Sequence, residues 1–415
     1  MAITSLRFMG FCLISLILFA VFPARRRWYA LLIMSLLFYG LSAKYVVVMI
    51  LLTSCTVWYC AGKIDAIRKE TDRQIKSGKL EKGEKKALRK KSGEQRKRIL
   101  MAGLILNVGI LVFFKVYNLF LPAISMLGGI LTGTGKVDFA ALALPLGISY
   151  YTFTSVGYLL DVYWKRYDSE EDPVRFLLYV TYFPHILQGP ISRYSSLGQE
   201  LRKPELKLSA ENFVYGATRI LLGCFKKLVI ADRAGIFVSA TLRTPGLSGT
   251  VYIVAMILDA IQIYADFSGY MDIVIGLSAM FDVKLEENFN HPFLAKSVPE
   301  FWRRWHMTLG GWFRDYVYYP LTLSKTFKKV NLRVMDWKSE RLRTAGTALG
   351  PVMITWILTG LWHGTGIGYV AWGLYYGTLI MISTVFGRDL ARVPQKIHIN
   401  PESVPYRIFQ TIRIF

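Results

Sequence analysis

Two histidines stand out as residues that could carry chemistry in an otherwise apolar chain. His306 lies in the run Phe301-Trp-Arg-Arg-Trp-His-Met-Thr-Leu, and His363 lies in the run Gly360-Leu-Trp-His-Gly. Apolar membrane segments seldom keep ionisable side chains that have no function, and imidazole is the side chain that changes charge nearest to neutral pH. The two histidines therefore indicate an enzyme.

The composition predicts a polytopic membrane protein. Of the 415 residues, 53% are hydrophobic and 14% are aromatic, and apolar stretches of bilayer-spanning length recur along the chain. The formal net charge of +23 is concentrated between the apolar stretches, where basic residues orient a protein in the membrane and attract anionic lipid headgroups. Membrane lipids are therefore expected as partners, and nucleic acid is not.

Neither a disulfide framework nor a metal site is indicated. The four cysteines all lie in apolar segments, without a Cys-x-x-Cys pair or the spacing of metal ligands. No bound cofactor is expected.

Apolar runs predict an all-α bundle. Candidate spans are residues 3–22, 28–61, 99–121, 139–164, 176–191, 213–230, 251–281, 351–362 and 367–386. Residues 63–98 carry 15 Lys and Arg against 6 Asp and Glu, which predicts a basic, helical cytoplasmic loop. The basic run at residues 25–27 should face the same side, so residues 28–61 are predicted to form two short antiparallel helices that turn near Leu41–Lys44. The N-terminus then faces outside.

Residues 285–320 are too polar and too aromatic for an ordinary span. We predict a re-entrant or amphipathic segment that lines a hydrated cavity, because irregular structure at membrane depth must be shielded by protein or water. An interfacial belt of aromatic and basic residues is the alternative. Just upstream, Asp259, Gln262 and Asp266 share one helix face. Asp266 is expected to face the interior and to be hydrogen-bonded, with a residue of the 301–306 block as one candidate partner.

Six blocks resemble one known family. They are Phe183-Pro-His-Ile-Leu-Gln-Gly-Pro-Ile-Ser-Arg-Tyr, Phe225-Lys-Lys-Leu-Val-Ile-Ala-Asp, Gln262-Ile-Tyr-Ala-Asp-Phe-Ser-Gly-Tyr, Asn288-Phe-Asn-His-Pro-Phe and the two histidine runs. Together they look like the membrane-bound O-acyltransferases, most closely the alginate O-acetyltransferase branch of bacterial polysaccharide acetylation. The resemblance implies a single domain over residues 1–415, with short and re-entrant helices around a central tunnel. The chain departs from the branch after Tyr319-Pro-Leu, and it is expected to be C-terminally short.

The resemblance implies that His363 is catalytic. Transfer of an acyl group from a thioester to a hydroxyl needs a base for the hydroxyl proton, and histidine suits that task. We expect the ring in a low-dielectric wall, with Gly364 leaving room for substrate. A histidine that only packs between helices is the alternative. The glycine pairs Gly360/Gly364, Gly364/Gly368 and Gly373/Gly377, each four residues apart, predict close helix packing in any case.

The remaining candidates are expected around the same chemistry. His306 corresponds to the family's second histidine block and is expected to hold the donor or orient the substrate. Arg303 and Arg304 could neutralise donor phosphates or bind lipid headgroups. The other residues expected at the substrate are Trp305, Trp362, Asp266, Asn288 and Asp315.

The family implies transfer across a bacterial cytoplasmic membrane. A cytoplasmic acyl thioester such as acetyl-CoA would be the donor, and an extracytoplasmic polysaccharide or a partner acetyl-relay enzyme would be the acceptor. Transfer of D-alanine to teichoic acid is the nearest alternative. A transporter or flippase-like carrier that uses Asp259, Asp266 and Asp272, or a non-catalytic scaffold for a polysaccharide synthase, are the alternatives from other classes.

The charge distribution makes a topological prediction. A cysteine in place of Lys79 should react with a membrane-impermeant thiol reagent only after the cells are opened, because the basic loop is expected in the cytoplasm. Labelling of Lys79→Cys from outside intact cells would contradict the assignment.

Overall fold

A computed structural model describes residues 3–43, 47–78, 80–133, 135, 137, 145–186, 188–364, 366–396, 398–400 and 402–414. Within these residues the chain is helical and contains no β-strand. The predicted all-α class is therefore confirmed.

The chain divides into two compact units. The first comprises residues Met1–Gly109 and Pro145–Glu287, and the second comprises Ile110–Leu144 and Asn288–Phe415. The first contains α1 (Leu6–Val21), α2 (Arg27–Ala43), α3 (Val47–Lys76), the beginning of α4 (Lys82–Thr132), α5 (Ile148–Tyr163), α6 (Pro173–Thr181), α7 (Phe183–Ile186), α8 (Gln199–Leu201), α9 (Ala210–Cys224), α10 (Asp232–Arg243) and α11 (Gly249–Met280).

The second unit contains the rest of α4 and seven further helices. These are α12 (Val298–Arg304), α13 (Met307–Phe313), α14 (Tyr319–Thr322), α15 (Lys325–Met335), α16 (Glu340–His363), α17 (Ile367–Lys396) and α18 (Val404–Ile412). A π-helical turn, Arg314–Tyr318, joins α13 to α14. The segment from residue 285 to 320 is thus built from short helices.

Five described helices are long and apolar enough to cross a membrane. They are Val47–Lys76, Lys82–Tyr117, Gly249–Met280, Glu340–His363 and Ile367–Leu390. Because a span of about 20 apolar residues crosses a bilayer, the protein is a multi-pass membrane protein.

Two helices, α2 and α3, divide the apolar block 28–61 as predicted, but α3 is not short, because it continues for 30 residues to Lys76. Helix α2 ends at Ala43 and α3 begins at Val47; the predicted turn residue Lys44 lies outside the described residues. The basic loop 63–98 is also helical, because α3 continues to Lys76 and α4 starts at Lys82. Part of the predicted span 139–164 likewise lies outside the described residues, and α5 begins at Ile148.

The prediction of one span over residues 176–191 is wrong. Helix α6 ends before Tyr182, whose backbone leaves the helical region (φ −47°, ψ 106°). The short helix α7 then starts at Phe183 with Pro184 in its first turn, where the missing N–H of proline does no harm. The apolar run is therefore two short helices, and His185 of α7 is buried.

Helices α9 and α11 cross at glycines. A Cβ atom on Gly223 would lie 2.5 Å from the carbonyl oxygen of Gly269, and one on Gly216 would collide with the carbonyl oxygen of Gly276. Small residues let two backbones approach this closely where lipid supplies little driving force for helix association.

The same crossing holds a buried carboxylate. Asp272 is 5% exposed, and its two oxygens lie 2.6 Å from Arg219 Nη2 and 2.6 Å from Lys226 Nζ. An unpaired charge there would be costly. The pairing therefore accounts for one of the acidic residues expected in the apolar helix.

Replacing Gly223 with alanine should destabilise the protein. The added methyl group has backbone on its far side and cannot be accommodated by a rotamer change, so we expect a loss of about 1–3 kcal/mol. The measurement is the midpoint of thermal unfolding in detergent. Gly109→Ala is the control, because no heavy atom lies within 4 Å of its added Cβ. Equal midpoints for the two variants would contradict the close crossing.

Candidate active site

His306 lies at the kink between two short helices of the second unit. Helix α12 begins after Ser297, whose hydroxyl accepts a hydrogen bond from the Glu300 N–H (3.3 Å), and it ends at Arg304. Trp305 is extended, and His306 has φ +46° and ψ 52° before α13 begins. A left-handed conformation is uncommon for a residue other than glycine and is retained only where its surroundings enforce it.

The side chain of Asn288 holds His306 in the left-handed conformation. Asn288 is fully buried. Its Oδ1 accepts two hydrogen bonds from Thr308, one from the backbone N–H (3.1 Å) and one from the side-chain hydroxyl (2.9 Å). The Nδ1 atom of His306 lies 3.2 Å from the same oxygen. In addition, the Met307 N–H donates to the carbonyl oxygen of Asn288 (3.0 Å).

These contacts determine the tautomer of His306. A backbone N–H can only donate, so the Asn288 atom that faces Thr308 must be the amide oxygen, and the Nδ1 of His306 beside it must carry the proton. The Nε2 atom then carries the lone pair. Burial, together with the nearby His363, lowers the pKa of His306, so the ring is neutral at pH 7 and can accept a proton or a hydrogen bond.

His363 is the last residue of α16. The N–H of Gly364 returns to the carbonyl oxygen of Gly360 (3.2 Å), and Gly364 itself is extended. A Cβ on either glycine would collide with Tyr369 of α17. The predicted close packing is therefore confirmed at Gly360. The expectation that Gly364 makes room for substrate is wrong, because the ring of Tyr369 on α17 fills the space beside it.

One aromatic side chain contacts both histidines. The ring centroid of Trp362 lies 5.8 Å from that of His306 and 4.7 Å from that of His363. His363 also meets Trp372 of α17 edge to face, with ring centroids 5.1 Å apart. The indole of Trp362 therefore sets the relative placement of the two rings.

Both histidines line one cavity of about 560 Å³. Its walls are mainly aromatic and aliphatic, with a few polar groups from the α12–α13 segment and from α16: Trp302, Arg303, Trp305, His306, Arg314, Tyr318, Thr355, Thr359 and His363. Concave apolar pockets with a few convergent polar groups are typical of binding and catalytic sites. We therefore take this cavity as the candidate active site.

The other sequence-derived candidates divide into two groups. Arg303 and Trp305 line the cavity. Arg304 instead pairs with Glu300 through Nη2 (2.7 Å), and Asp315 pairs with Arg314 (2.8 Å). Asn288 contacts His306 rather than lining the cavity.

Asp266 belongs to the first unit. Its carboxylate is paired with Lys227 Nζ at 2.7 Å, and its side chain is 46% exposed. It is thus charge-paired, and its partner Lys227 lies on the neighbouring π-helical turn. The expectation of an interior position is wrong, because nearly half of the side chain is exposed. It lines a different cavity, with Asp232, Arg243 and Gln262.

Sequence reasoning missed three residues of this region. Thr308 and Trp372 carry no chemical signal in the sequence. Lys115 did carry one, as the only charged residue of the predicted span 99–121, and its ammonium group donates to the carbonyl oxygen of Trp362. Within the part of the chain that the structure describes, no group of three His, Cys, Asp or Glu is placed to hold a metal ion.

Comparison with known proteins identifies the family of the chain. The family model of the membrane-bound O-acyltransferases matches residues 171–335. The chain is 33% identical over 294 residues to a probable alginate O-acetylase of Pseudomonas syringae, covering 70% of this chain and 52% of that protein. The chain belongs to the membrane-bound O-acyltransferase family, on the branch that resembles the alginate O-acetylases.

Two further relatives are named for transfer to other polymers. A peptidoglycan O-acetyltransferase of Helicobacter pylori is 28% identical over 313 residues, covering 69% of this chain and 55% of that protein. A teichoic acid D-alanyltransferase of Bacillus subtilis is 29% identical over 246 residues, covering 58% of this chain and 59% of that protein. The chain thus spans little more than half the length of these relatives.

Removal of the Asn288 amide should disorganise His306. We expect Asn288→Ala to lower the free energy of unfolding by more than the roughly 1–3 kcal/mol of one buried group left without a partner, since it deprives several donors of their acceptor. ¹⁵N spectra of the histidine rings should show His306 protonated at Nδ1 in the unmodified protein and a mixture of tautomers in the variant. Thr308→Val, which removes one donor only, is the control, and an unchanged His306 spectrum in Asn288→Ala would refute the tautomer assignment.

Proposed function

We propose that this protein is an O-acyltransferase of a bacterial cytoplasmic membrane, which moves an acyl group from a thioester to a hydroxyl group. The observation that carries the proposal is the cavity of the second unit, where His306 and His363 meet beside Arg303. Acyl transfer needs a base for the hydroxyl proton and a site that excludes water from the thioester. A mostly apolar cavity with two imidazoles supplies both.

In the proposed reaction His363 is the general base. The hydroxyl oxygen of the acceptor attacks the thioester carbonyl carbon while the imidazole of His363 takes the hydroxyl proton. The tetrahedral intermediate then collapses, the carbon–sulfur bond breaks, and the departing sulfur takes the proton back from the imidazolium. An ester and a free thiol result, and His363 is neutral again.

His306 is proposed as an accessory residue. Its Nδ1 is held by Asn288, so its Nε2 can accept a hydrogen bond from an amide N–H of the donor or from the hydroxyl of the acceptor. In this role Asn288 acts through His306 rather than by touching substrate. Trp362 contacts both rings and is proposed to fix their relative orientation.

The donor is proposed to be an acyl thioester of coenzyme A, with acetyl as the acyl group. Arg303 lines the cavity and is the proposed contact for donor phosphates, because a guanidinium group pairs with phosphate in bidentate fashion. Arg304 is paired with Glu300, and we assign it to the support of α12. Asp315 is proposed to orient Arg314, which also lines the cavity.

The acceptor is proposed to be a polysaccharide outside the membrane, or a partner enzyme there that passes the acyl group on. The relatives are named for transfer to alginate, peptidoglycan and teichoic acid, which supports a polymeric hydroxyl acceptor. A central tunnel in which donor and acceptor meet without crossing the membrane is part of this proposal. D-Alanyl transfer remains the second candidate, because one relative is named for it.

Two of the three acids that a proton-coupled carrier would use are held in ion pairs, which weighs against that alternative. Asp272 is satisfied by Arg219 and Lys226, and Asp266 is satisfied by Lys227. These ion pairs join α11 to the neighbouring helical segments, which favours a structural role for both carboxylates. The two histidines in one cavity likewise favour an enzyme over a scaffold.

The assignment of roles predicts different losses for the two histidines. His363→Gln, which can hydrogen-bond but cannot take the proton, should lower acyl transfer by a factor of about 100 to 10,000, the usual contribution of a positioned base. His306→Ala should chiefly raise the donor concentration needed for half-maximal rate. The measurement is transfer of radiolabelled acetyl from acetyl-CoA over a series of donor concentrations.

The control is the thermal midpoint of each purified variant, which should remain close to that of the unmodified protein for His363→Gln. Near-normal turnover in His363→Gln, or a deeper loss of turnover in His306→Ala at saturating donor, would reverse the assignment. Mass spectrometry of surface polysaccharide from cells with and without the gene would identify the acyl group and the acceptor.

A further inference from the structure

Lys115 is a single basic residue on an apolar stretch of α4. The 23 residues from 99 to 121 contain no other charged side chain. A lysine in such a stretch can extend its ammonium group towards the membrane surface, or it can find acceptors within the protein. Lys115 is partly buried within the second unit, and its ammonium group finds acceptors within the protein.

The acceptors are carbonyl groups at the end of α16. The Nζ atom donates to the carbonyl oxygen of Trp362, and it lies 3.4 Å from the carbonyl oxygen of Leu361. The same ammonium group stands over the indole of Trp362, 6.0 Å from the ring centroid. One cation therefore contacts both the backbone and the ring of the residue that precedes His363.

The end of a helix is where such a contact has the greatest effect. The last four carbonyl groups of a helix have no partner within it, and they form the negative end of the helix dipole. Water satisfies them in an exposed helix, but the end of α16 packs against Tyr369 and Trp372. A lysine from another helix can satisfy these carbonyl groups and fix the last turn.

We propose that Lys115 is a positioning residue for the acyl-transfer site, which fixes the Leu361–Trp362 turn and thereby holds His363 at the cavity. The proposal rests on the assignment of His363 as the general base. It requires no contact between Lys115 and the substrate, in keeping with the position of Lys115 outside the lining of the cavity. Displacement of a base by about 1 Å can cost 100-fold in rate.

The first test needs no activity. We expect Lys115→Met, which keeps the length and removes the charge, to increase hydrogen–deuterium exchange severalfold at the amides of residues 361–364, because the last turn of α16 frays. Lys115→Arg retains donors and should exchange almost as slowly as the unmodified protein. Lys226→Met is the matched control, because it removes a lysine that pairs with Asp272 and not with α16. Unchanged exchange in Lys115→Met would overturn the proposal whatever the function of the protein.

The second test asks whether Lys115 acts through His363. With acetyl-CoA as the donor, Lys115→Met should lower kcat about 10- to 100-fold with little change in the KM for donor, and Lys115→Arg should recover most of it. In the background of His363→Gln, Lys115→Met should cause almost no further loss, since residues that act as a unit are not additive. If the loss of kcat in the double variant equalled the product of the losses in the two single variants, Lys115 would act independently of His363, and the proposal would be overturned. Near-normal turnover of His363→Gln alone would instead refute the assigned base, leaving the exchange experiment to decide whether Lys115 holds the turn.

Discussion

The amide oxygen of Asn288 is the single group on which the candidate site depends most. It faces a ring nitrogen of His306, which lies 18 residues further along the chain, and it accepts two hydrogen bonds from Thr308. Backbone hydrogen bonds close the same loop, from the Asn290 N–H to the Arg304 carbonyl (2.9 Å) and from the Met307 N–H to the Asn288 carbonyl (3.0 Å). The Asn288 block and the His306 block are therefore one structure, and the left-handed histidine is stable only because both are present.

A related constraint governs charge in the apolar helices. Asp272 has two cations within hydrogen-bonding distance, Asp266 has Lys227, and Lys115 has carbonyl groups at the end of α16. In a medium of low dielectric constant each of these groups would be costly alone, so each needs a partner in the same compact unit. The partners differ in kind. The ion pairs of Asp272 and Asp266 hold neighbouring helical segments together, whereas Lys115 contacts Trp362, the residue that precedes the proposed base His363.

The predictable part of the structure was the part determined locally. Apolar runs of sufficient length predicted α11 and α17, and the two basic clusters predicted the break between α2 and α3, because both depend on how neighbouring residues meet a bilayer. The break at Tyr182 was missed because an apolar run does not show where a buried chain bends. The same limit applied to the site. His306 and His363 could be found by residue type, but the orienting role of Asn288 and the contact of Lys115 depend on residues 18 and 247 positions away, which no local pattern reveals.

The glycine crossing of α9 and α11 also limits how the first unit can move. The pairs Gly216–Gly276 and Gly223–Gly269 lie seven residues apart on each helix, about 10 Å along the axis. Sliding one helix by a single residue would drive side chains into backbone at both pairs, and rotation would separate Arg219 and Lys226 from Asp272. The helices α9 and α11 are therefore expected to move together as one rigid body. Any opening or closing during a reaction cycle has to take place at the breaks in the chain, such as Tyr182 or the π-helical turn that follows Cys224, and not by shear within this pair.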